Sequence, residues 1–204
     1  SSDLRIEKLD ISKWIYQWNV YKTDDGILIS IKSIFSQLGS AFMHYPKITI
    51  VTPSFNQSRY LEQTIQSVIG QGYPNLEYII MDGGSTDGSV EIIEKYSRYI
   101  DYWCSKPDDG QADAIFRGFK RSTGHILSWI NSDDILCDRS LFKVADTFRE
   151  NSDLGLVFGN SFLINESSKF KRCLIPDPNF KYYLYGASSI FQGSVFYTRD
   201  AYIK

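Results

Sequence analysis

Lys47-Ile48-Thr49-Ile50-Val51-Thr52-Pro53 is the stretch on which the fold turns. It is β-branched throughout its middle and closed by proline, the pattern of a short buried strand. Downstream, Leu61, Ile65, Val68 and Ile69 share one face of a helix that opens at Ser58, read as its N-cap, and stops at Gly70. Residues 76–81 predict a second strand, which turns at Asp82-Gly83-Gly84-Ser85. Val90, Ile93 and Tyr96 mark a second helix starting near Thr86, and residues 100–104 predict a third strand. Ala112, Ile115, Phe116 and Phe119 give a third helix, stopped by Ser122-Thr123-Gly124. Residues 125–130 predict a fourth strand, opened by His125 in a structural role. A helix then runs to Glu150, and residues 154–160 predict a fifth strand. Such alternation implies βαβ units, hence an α/β fold with a doubly wound, mostly parallel sheet flanked by helices.

Upstream of Pro46 the composition changes. Residues 1–46 predict a helical extension and residues 47–204 the main domain. Trp14 and Trp18 stand one helical turn apart, and Ile27, Ile31, Ile34, Phe35, Leu38 and Phe42 recur at helical spacing. That amphipathic helix is expected to pack on the following domain. Its polar face is mostly Ser and Gln, with Lys32 its one strong base, which suits a membrane surface poorly but leaves room for peripheral contact.

The 204 residues carry a net charge of −2, with no basic excess to neutralise a phosphate backbone, so nucleic acid is not the expected partner. Cys104, Cys137 and Cys173 lie far apart and form neither a zinc pattern nor a disulfide framework, which fits a reducing, cytoplasmic setting. No apolar run approaches the ~20 residues that span a bilayer. The chain opens on Ser1-Ser2 and stops in what reads as a helix start, the pattern of a piece cut from a longer protein.

In a doubly wound sheet ligands gather at the carboxyl ends of the strands. Four successive loops there are rich in Asp, Asn, Ser or Gly: Pro53-Ser54-Phe55-Asn56-Gln57, Asp82 to Asp87, Lys106 to Gln111, and Asn131-Ser132-Asp133-Asp134. One would be ordinary turn chemistry; four on one rim point to a binding site. No Gly-x-Gly-x-x-Gly follows the first strand and no phosphate-loop Gly-Lys motif occurs, which argues against a dinucleotide fold or a P-loop nucleotidase. A serine nucleophile elbow is missing too. The oxygen-rich set suits a hard divalent cation, and Asp133-Asp134 would be costly to bury without a cation or hydrogen-bond donors. The plainer alternative is an Asx turn leading into the next helix.

At these motifs the chain resembles glycosyltransferase family 2, inverting nucleotide-sugar transferases of the GT-A fold. The resemblance rests on Ile50 to Asn56, Ile79 to Asp87, Pro107 to Ala114 and Asn131 to Asp134, in that order and spacing. It implies that Asp82 accepts the imide N–H of uracil or thymine, and that Pro53, Ser54 and Phe55 line the base pocket, with Asn56 in the same donor-binding loop. Asp108, Gly110 and Gln111 would lie near the base and diphosphate. Asp134 would bind Mg²⁺ or Mn²⁺, and Asp133 would face ribose or sugar hydroxyls as a second candidate ligand. The implied reaction moves a sugar from a UDP- or dTDP-type donor to a saccharide or lipid-linked saccharide, in bacterial polysaccharide synthesis at the inner face of the membrane.

Three departures stand out. Ser132 replaces the first acid of the family's Asp-x-Asp motif, Phe116 stands where relatives often carry Asn, and the catalytic base is not found. The run Phe191 to Tyr197 matches the strand and acceptor-side loop before that base, Asp200 comes too early, and the base is expected beyond Lys204. A catalytically silent nucleotide-sugar-binding or scaffolding module that lacks the base is the second reading; a nucleotidyltransferase would want a glycine-rich basic loop after the first strand.

Overall fold

A computed structural model describes residues 45–166, 169–176 and 190–203. The expected helices around Trp14 and over 27–42, and the extension itself up to residue 44, lie outside the described residues. The first strand is β1 (Ile48–Ser54), which runs two residues further than the β-branched stretch. It is followed by α1 (Ser58–Ile69), β2 (Leu76–Asp82), α2 (Ser89–Lys95), β3 (Tyr102–Ser105), α3 (Gln111–Arg121), β4 (Ile126–Trp129) and α4 (Ser140–Glu150). Then come β5 (Leu156–Phe158), the ribbon strands β6 (Ser161–Ile164) and β7 (Phe170–Leu174), β8 (Val195–Thr198) and α5 (Arg199–Ile203).

The main sheet has the order β3-β2-β1-β4-β8-β5. β1 pairs in parallel with β2 and β4, and β2 with β3, as the alternation predicts. β8 runs antiparallel to both its neighbours, β4 and β5. β6 and β7 form a separate antiparallel ribbon. Strand period two divides the core. Ile48, Ile50, Tyr78 and Ile80 pack with Leu61, Ile65, Ile93 and Leu141 of α1, α2 and α4. Val51, Ile79, Met81 and Leu127 face Ala114 and Phe119 of α3 on the other side. Helices on both faces are what double winding means, and each buried Leu or Ile stabilises by about 1.5–3 kcal/mol. Gly118 lets α3 approach: a Cβ there would stand 2.5 Å from Val51 Cγ1.

Several boundaries differ from the sequence expectation. β3 starts at Tyr102, because Ser97–Tyr99 forms a 3-10 turn and Asp101 exchanges hydrogen bonds with the Tyr78 backbone. α2 starts at Ser89, after Gly88 takes a left-handed φ of +97°. α4 begins at Ser140, beyond a turn at left-handed Arg139, so Asp134 does not open that helix. The fifth strand shrinks to three residues. Ser58 is the first helical residue rather than the cap. The α1 N-terminus is capped from elsewhere: the Ser58 N–H donates to Asp87 Oδ2 at 2.9 Å and the Gln57 N–H to Ser89 Oγ at 3.1 Å.

The amino ends of the strands are tied by a buried polar cluster. The Glu77 carboxylate accepts from Lys47 Nζ (2.9 Å), Thr49 Oγ1 (2.6 Å), Thr123 N–H (2.7 Å) and Thr123 Oγ1 (2.6 Å). Burial pushes that carboxyl up, but these four donors outweigh it and hold the pKa at about 2. Arg199 joins the same end, donating to the Gly124 carbonyl and Ser122 Oγ, each at 2.8 Å.

Candidate functional site

All four polar loops emerge at the carboxyl edge of the parallel strands, as expected. The first two are stitched together: the Asn56 N–H donates to Ser85 Oγ at 2.8 Å, and Asn56 Oδ1 accepts from the Thr86 N–H at 2.9 Å. Asn56 has φ +52°, a left-handed turn that asparagine tolerates better than most residues. Phe55 beside it is exposed, Pro53 is buried, and the Ser54 carbonyl accepts the Gly83 N–H at 2.8 Å. Ser54 is 4% exposed, and its hydroxyl has no hydrogen-bond partner in the protein.

Asp82 ends β2 and is 2% exposed. Its Oδ2 accepts from the N–H groups of Gly84 (3.1 Å) and Ser85 (2.9 Å) and from Ser105 Oγ (2.6 Å), while Oδ1 accepts from Ser85 Oγ (2.5 Å). The carboxylate expected to read a base therefore first organises its own loop and the end of β3. Next to it, Asp108 lies over Gly83, where a Cβ would stand 3.1 Å from either carboxylate oxygen. Asp108 Oδ1 also accepts the Gly110 N–H at 2.9 Å, and Gly110 has φ +99°, which makes the sharp entry into α3.

The fourth loop joins the third through a relay that motif matching did not resolve. Gln111 Nε2 donates to Asn131 Oδ1 at 2.6 Å, and Asn131 Nδ2 donates to Asp134 Oδ2 at 3.0 Å. Asp134 is half-buried and Asp133 exposed. Burial, and then the charge of Asp133, push the Asp134 carboxyl above its ordinary value against the Asn131 hydrogen bond. The Asp134 carbonyl accepts from Thr64 Oγ1 at 2.8 Å, which fixes the loop to α1. Gly193 lies across from it: a Cβ there would make an ordinary contact with Asp134 Oδ2 at 3.7 Å and crowd the Phe191 ring at 3.1 Å. That turn is seated by Gln192 Nε2 donating to the Trp129 carbonyl at 2.8 Å.

The structure thus brings Asn56, Asp82, Asp108, Gly110, Gln111, Asp133 and Asp134 to one edge. Sequence reasoning missed Ser85, Ser105 and the bridging role of Asn131; the one available signal was short polar residues next to each strand end. Asp200, weighed and set aside from sequence, sits in α5 after β8 has run to the opposite edge, where the Arg199 N–H donates to the His125 carbonyl at 2.8 Å. Asp87 is occupied in capping α1. Burial raises its carboxyl, but hydrogen bonds from Ser89 and Ser58 prevail and hold its pKa at about 2. An open recess of about 480 Å³, lined by Lys47, His125, Phe148 and Arg149 among others, lies at that far edge, with no carboxylate in its lining.

Residues 49–200 match the family described as Glycosyl transferase family 2. Poly-beta-1,6-N-acetyl-D-glucosamine synthase of Staphylococcus epidermidis is 29% identical over 156 residues, which is 76% of this chain and 36% of that protein. An uncharacterized glycosyltransferase of Haemophilus influenzae is 32% identical over 121 residues, 58% of this chain and 48% of that protein. The chain therefore spans between a third and a half of the length of these relatives. The mannosyltransferase PcManGT of Pyrobaculum calidifontis, solved with GDP-Man and Mn²⁺, aligns with a TM-score of 0.56 at 16% identity over 82% of this chain and 52% of that one, a likeness of fold. The sheet order, the polar edge and the match over 49–200 agree: this chain has the GT-A fold and belongs to glycosyl transferase family 2.

Proposed function

We propose that this chain holds the donor side of a metal-dependent, inverting glycosyltransferase. It moves a sugar from a UDP- or dTDP-type donor to a saccharide or lipid-linked saccharide hydroxyl during polysaccharide synthesis. The observation that carries the reading is the pair Asp133 and Asp134 on the polar edge, with Asp134 half-buried, pushed toward protonation and braced by Asn131. Two carboxylates are hard oxygen donors. They fit Mg²⁺ or Mn²⁺, which take one or two carboxylates plus substrate phosphates and water. Among the described residues no third His, Cys, Asp or Glu joins them, so a diphosphate would complete the set. When bound, such an ion acts as a Lewis acid that neutralises the departing diphosphate.

The remaining roles fall to the protein. The loop around Asp82 and the exposed ring of Phe55 form the base side, and the Gly110 turn opens α3 toward the phosphates. Inversion needs a carboxylate that takes the acceptor proton from the face opposite the diphosphate. Asp82, Asp87, Asp108 and Asp134 already serve the donor edge, and Asp200 lies at the other end of the sheet. That placement favours, as a second reading, a module that binds nucleotide sugar without transferring it unless a base is supplied from outside residues 45–203. The three free cysteines fit a reducing compartment and hence the cytoplasmic side of a membrane.

A thermal-shift screen of UDP, dTDP, GDP and ADP with and without Mn²⁺ tests the reading. Stabilisation by UDP or dTDP that depends on Mn²⁺ is expected; a preference for ADP, or indifference to metal, overturns it. Nucleoside diphosphate release in the presence of acceptor separates the two readings.

A further inference from the structure

We propose that the β6–β7 ribbon is a membrane-docking element for an anionic lipid surface. This goes beyond the donor reading and holds whichever sugar is moved.

The ribbon leaves the body at the donor edge. β5 runs parallel to β4, since both are antiparallel to β8, and it ends where the Gly159 N–H donates to the Ser194 carbonyl at 3.1 Å. β6 starts two residues later. The ribbon's far turn lies beside the first turn of α1, where Arg59 Nη2 meets Glu166 Oε2 at 3.0 Å. Both side chains of that pair are largely exposed, so it contributes little to holding the ribbon down.

Register sorts the side chains. Phe162 opposes Cys173 and Ile164 opposes Phe170, and these four share one face. Phe162 is 56% exposed and Phe170 63%, with their rings edge to face at 6.0 Å, and Ile175 just beyond the ribbon is 73% exposed. On the other face Ser161 and Leu174 are half-buried, while the Leu163 and Arg172 pair nearer the turn is exposed. The apolar side therefore looks outward, an arrangement that soluble surfaces usually avoid.

The occupant is chosen by charge. The ribbon carries Lys169 and Lys171 on β7 and its approach, with Arg172 on the opposite face beside Leu163, against one acid, Glu166, already paired with Arg59. Lys171 is the extra residue of a β-bulge facing the step between Leu163 and Ile164, a device that redirects a side chain out of the regular alternation. The whole chain is acidic, with a net charge of −2, so the basic cluster is local. Aromatic rings flanked by Lys are the chemistry of an anionic headgroup layer: the rings enter the acyl boundary and the bases meet the phosphates. No helix among the described residues is long and apolar enough to cross a membrane, so contact of this kind would be superficial. It would hold the donor edge facing the bilayer, where a lipid-linked acceptor presents its hydroxyl.

The test is flotation of the full chain with vesicles of phosphatidylcholine, alone or mixed with phosphatidylglycerol, run beside calorimetry with UDP. We expect binding to the mixed vesicles only, weakened by salt. Replacing Lys169 and Lys171 with Gln should reduce it by about fivefold per base removed. Phe162→Ser with Phe170→Ser should abolish it, while UDP binding stays as in the wild type in both variants. Equal binding to neutral vesicles, or unchanged flotation in both variants, overturns the proposal. No flotation, with a concentration-dependent dimer lost in the Phe variant, also overturns it and gives the face to a second copy of the chain. Loss of UDP binding with flotation intact would count against the donor reading alone.

Discussion

Gln111 reaches from the first turn of α3 to Asn131 after β4, its Nε2 donating to Oδ1 at 2.6 Å. This fixes the amide so that its nitrogen faces Asp134. Neighbours that orient a metal-binding carboxylate typically alter metal affinity 10–100-fold when removed. Gln111→Ala is therefore expected to weaken Mn²⁺-dependent UDP binding about tenfold, and Asn131→Ala more, with the melting temperature little changed. Calorimetric titration of UDP with and without Mn²⁺ checks this. Equal affinity in wild type and both variants would dissolve the relay.

Asp134 itself should behave as a charge that the protein alone accommodates poorly. Its carboxyl is raised by burial and by Asp133, so its ionised form costs folding free energy as pH rises through that elevated value. Asp134→Asn should leave the metal-free protein as stable or more stable at neutral pH, and remove the Mn²⁺ response. Ligand at ~100 times its dissociation constant stabilises by about 2.7 kcal/mol, so the loss is easily read in thermal melts. A variant that melts lower yet keeps its Mn²⁺ response would refute the assignment.

Asp82 is expected to act through its loop. Asp82→Ala strands the Gly84 and Ser85 N–H groups and the Ser105 hydroxyl, at a cost of about 1–3 kcal/mol for each buried group left unpaired. Ser105→Ala is the finer probe, since it removes one donor and spares the carboxylate. It should weaken UDP binding several-fold if loop order matters. Unchanged affinity in Ser105→Ala, beside lost affinity at native melting temperature in Asp82→Asn, would instead give Asp82 a direct contact with the base.

The far edge predicts a pH dependence. Glu77 falls from an ordinary value of about 4.5 to about 2 in the fold. A depressed carboxyl stabilises above its unfolded pKa and loses that contribution as pH falls through the folded one. Stability should decline between about pH 4.5 and pH 2, by about 3 kcal/mol at most from this group. Glu77→Gln should flatten that segment of the urea-midpoint profile and lower stability at pH 7. The same acid slope in the variant would place the effect elsewhere.

The βα alternation from Lys47 to Glu150 was legible because two periods, 2.0 and 3.6, are written into consecutive apolar residues. The polar edge was legible because strand ends and Asp, Ser or Gly coincide four times. What stayed hidden depends on partners distant in sequence. Ser58 has a capping residue's chemistry, yet the cap comes from Asp87, and no local rule names a side chain 29 residues away. The antiparallel placement of β8 is likewise a pairing decision made across 72 residues, from Ile126 to Thr198. The β6–β7 ribbon escaped because its apolar residues lack partners to enforce a strict pattern. Asp82 was seen as a site residue, but how completely its own loop occupies it could not be read from a motif.

Because β8 lies between β4 and β5, the sheet cannot be completed in the order in which the chain is made. β5 leaves the ribosome first and has no neighbour in the sheet until β8 arrives about forty residues later. The strands β1, β2 and β3 pair across fewer than thirty residues, whereas β4 reaches β1 only across 78 and β5 must await β8 across about forty, and distant contacts form slowly. Pulsed hydrogen exchange during refolding would register this as early protection at Ile50 and Ile80 and late protection at Val157 and Phe196; simultaneous protection would show a single concerted step. Synthesis thus passes through a nascent species with β4 as an open edge and the apolar β5 unpaired, a state in which edge-to-edge association competes with folding.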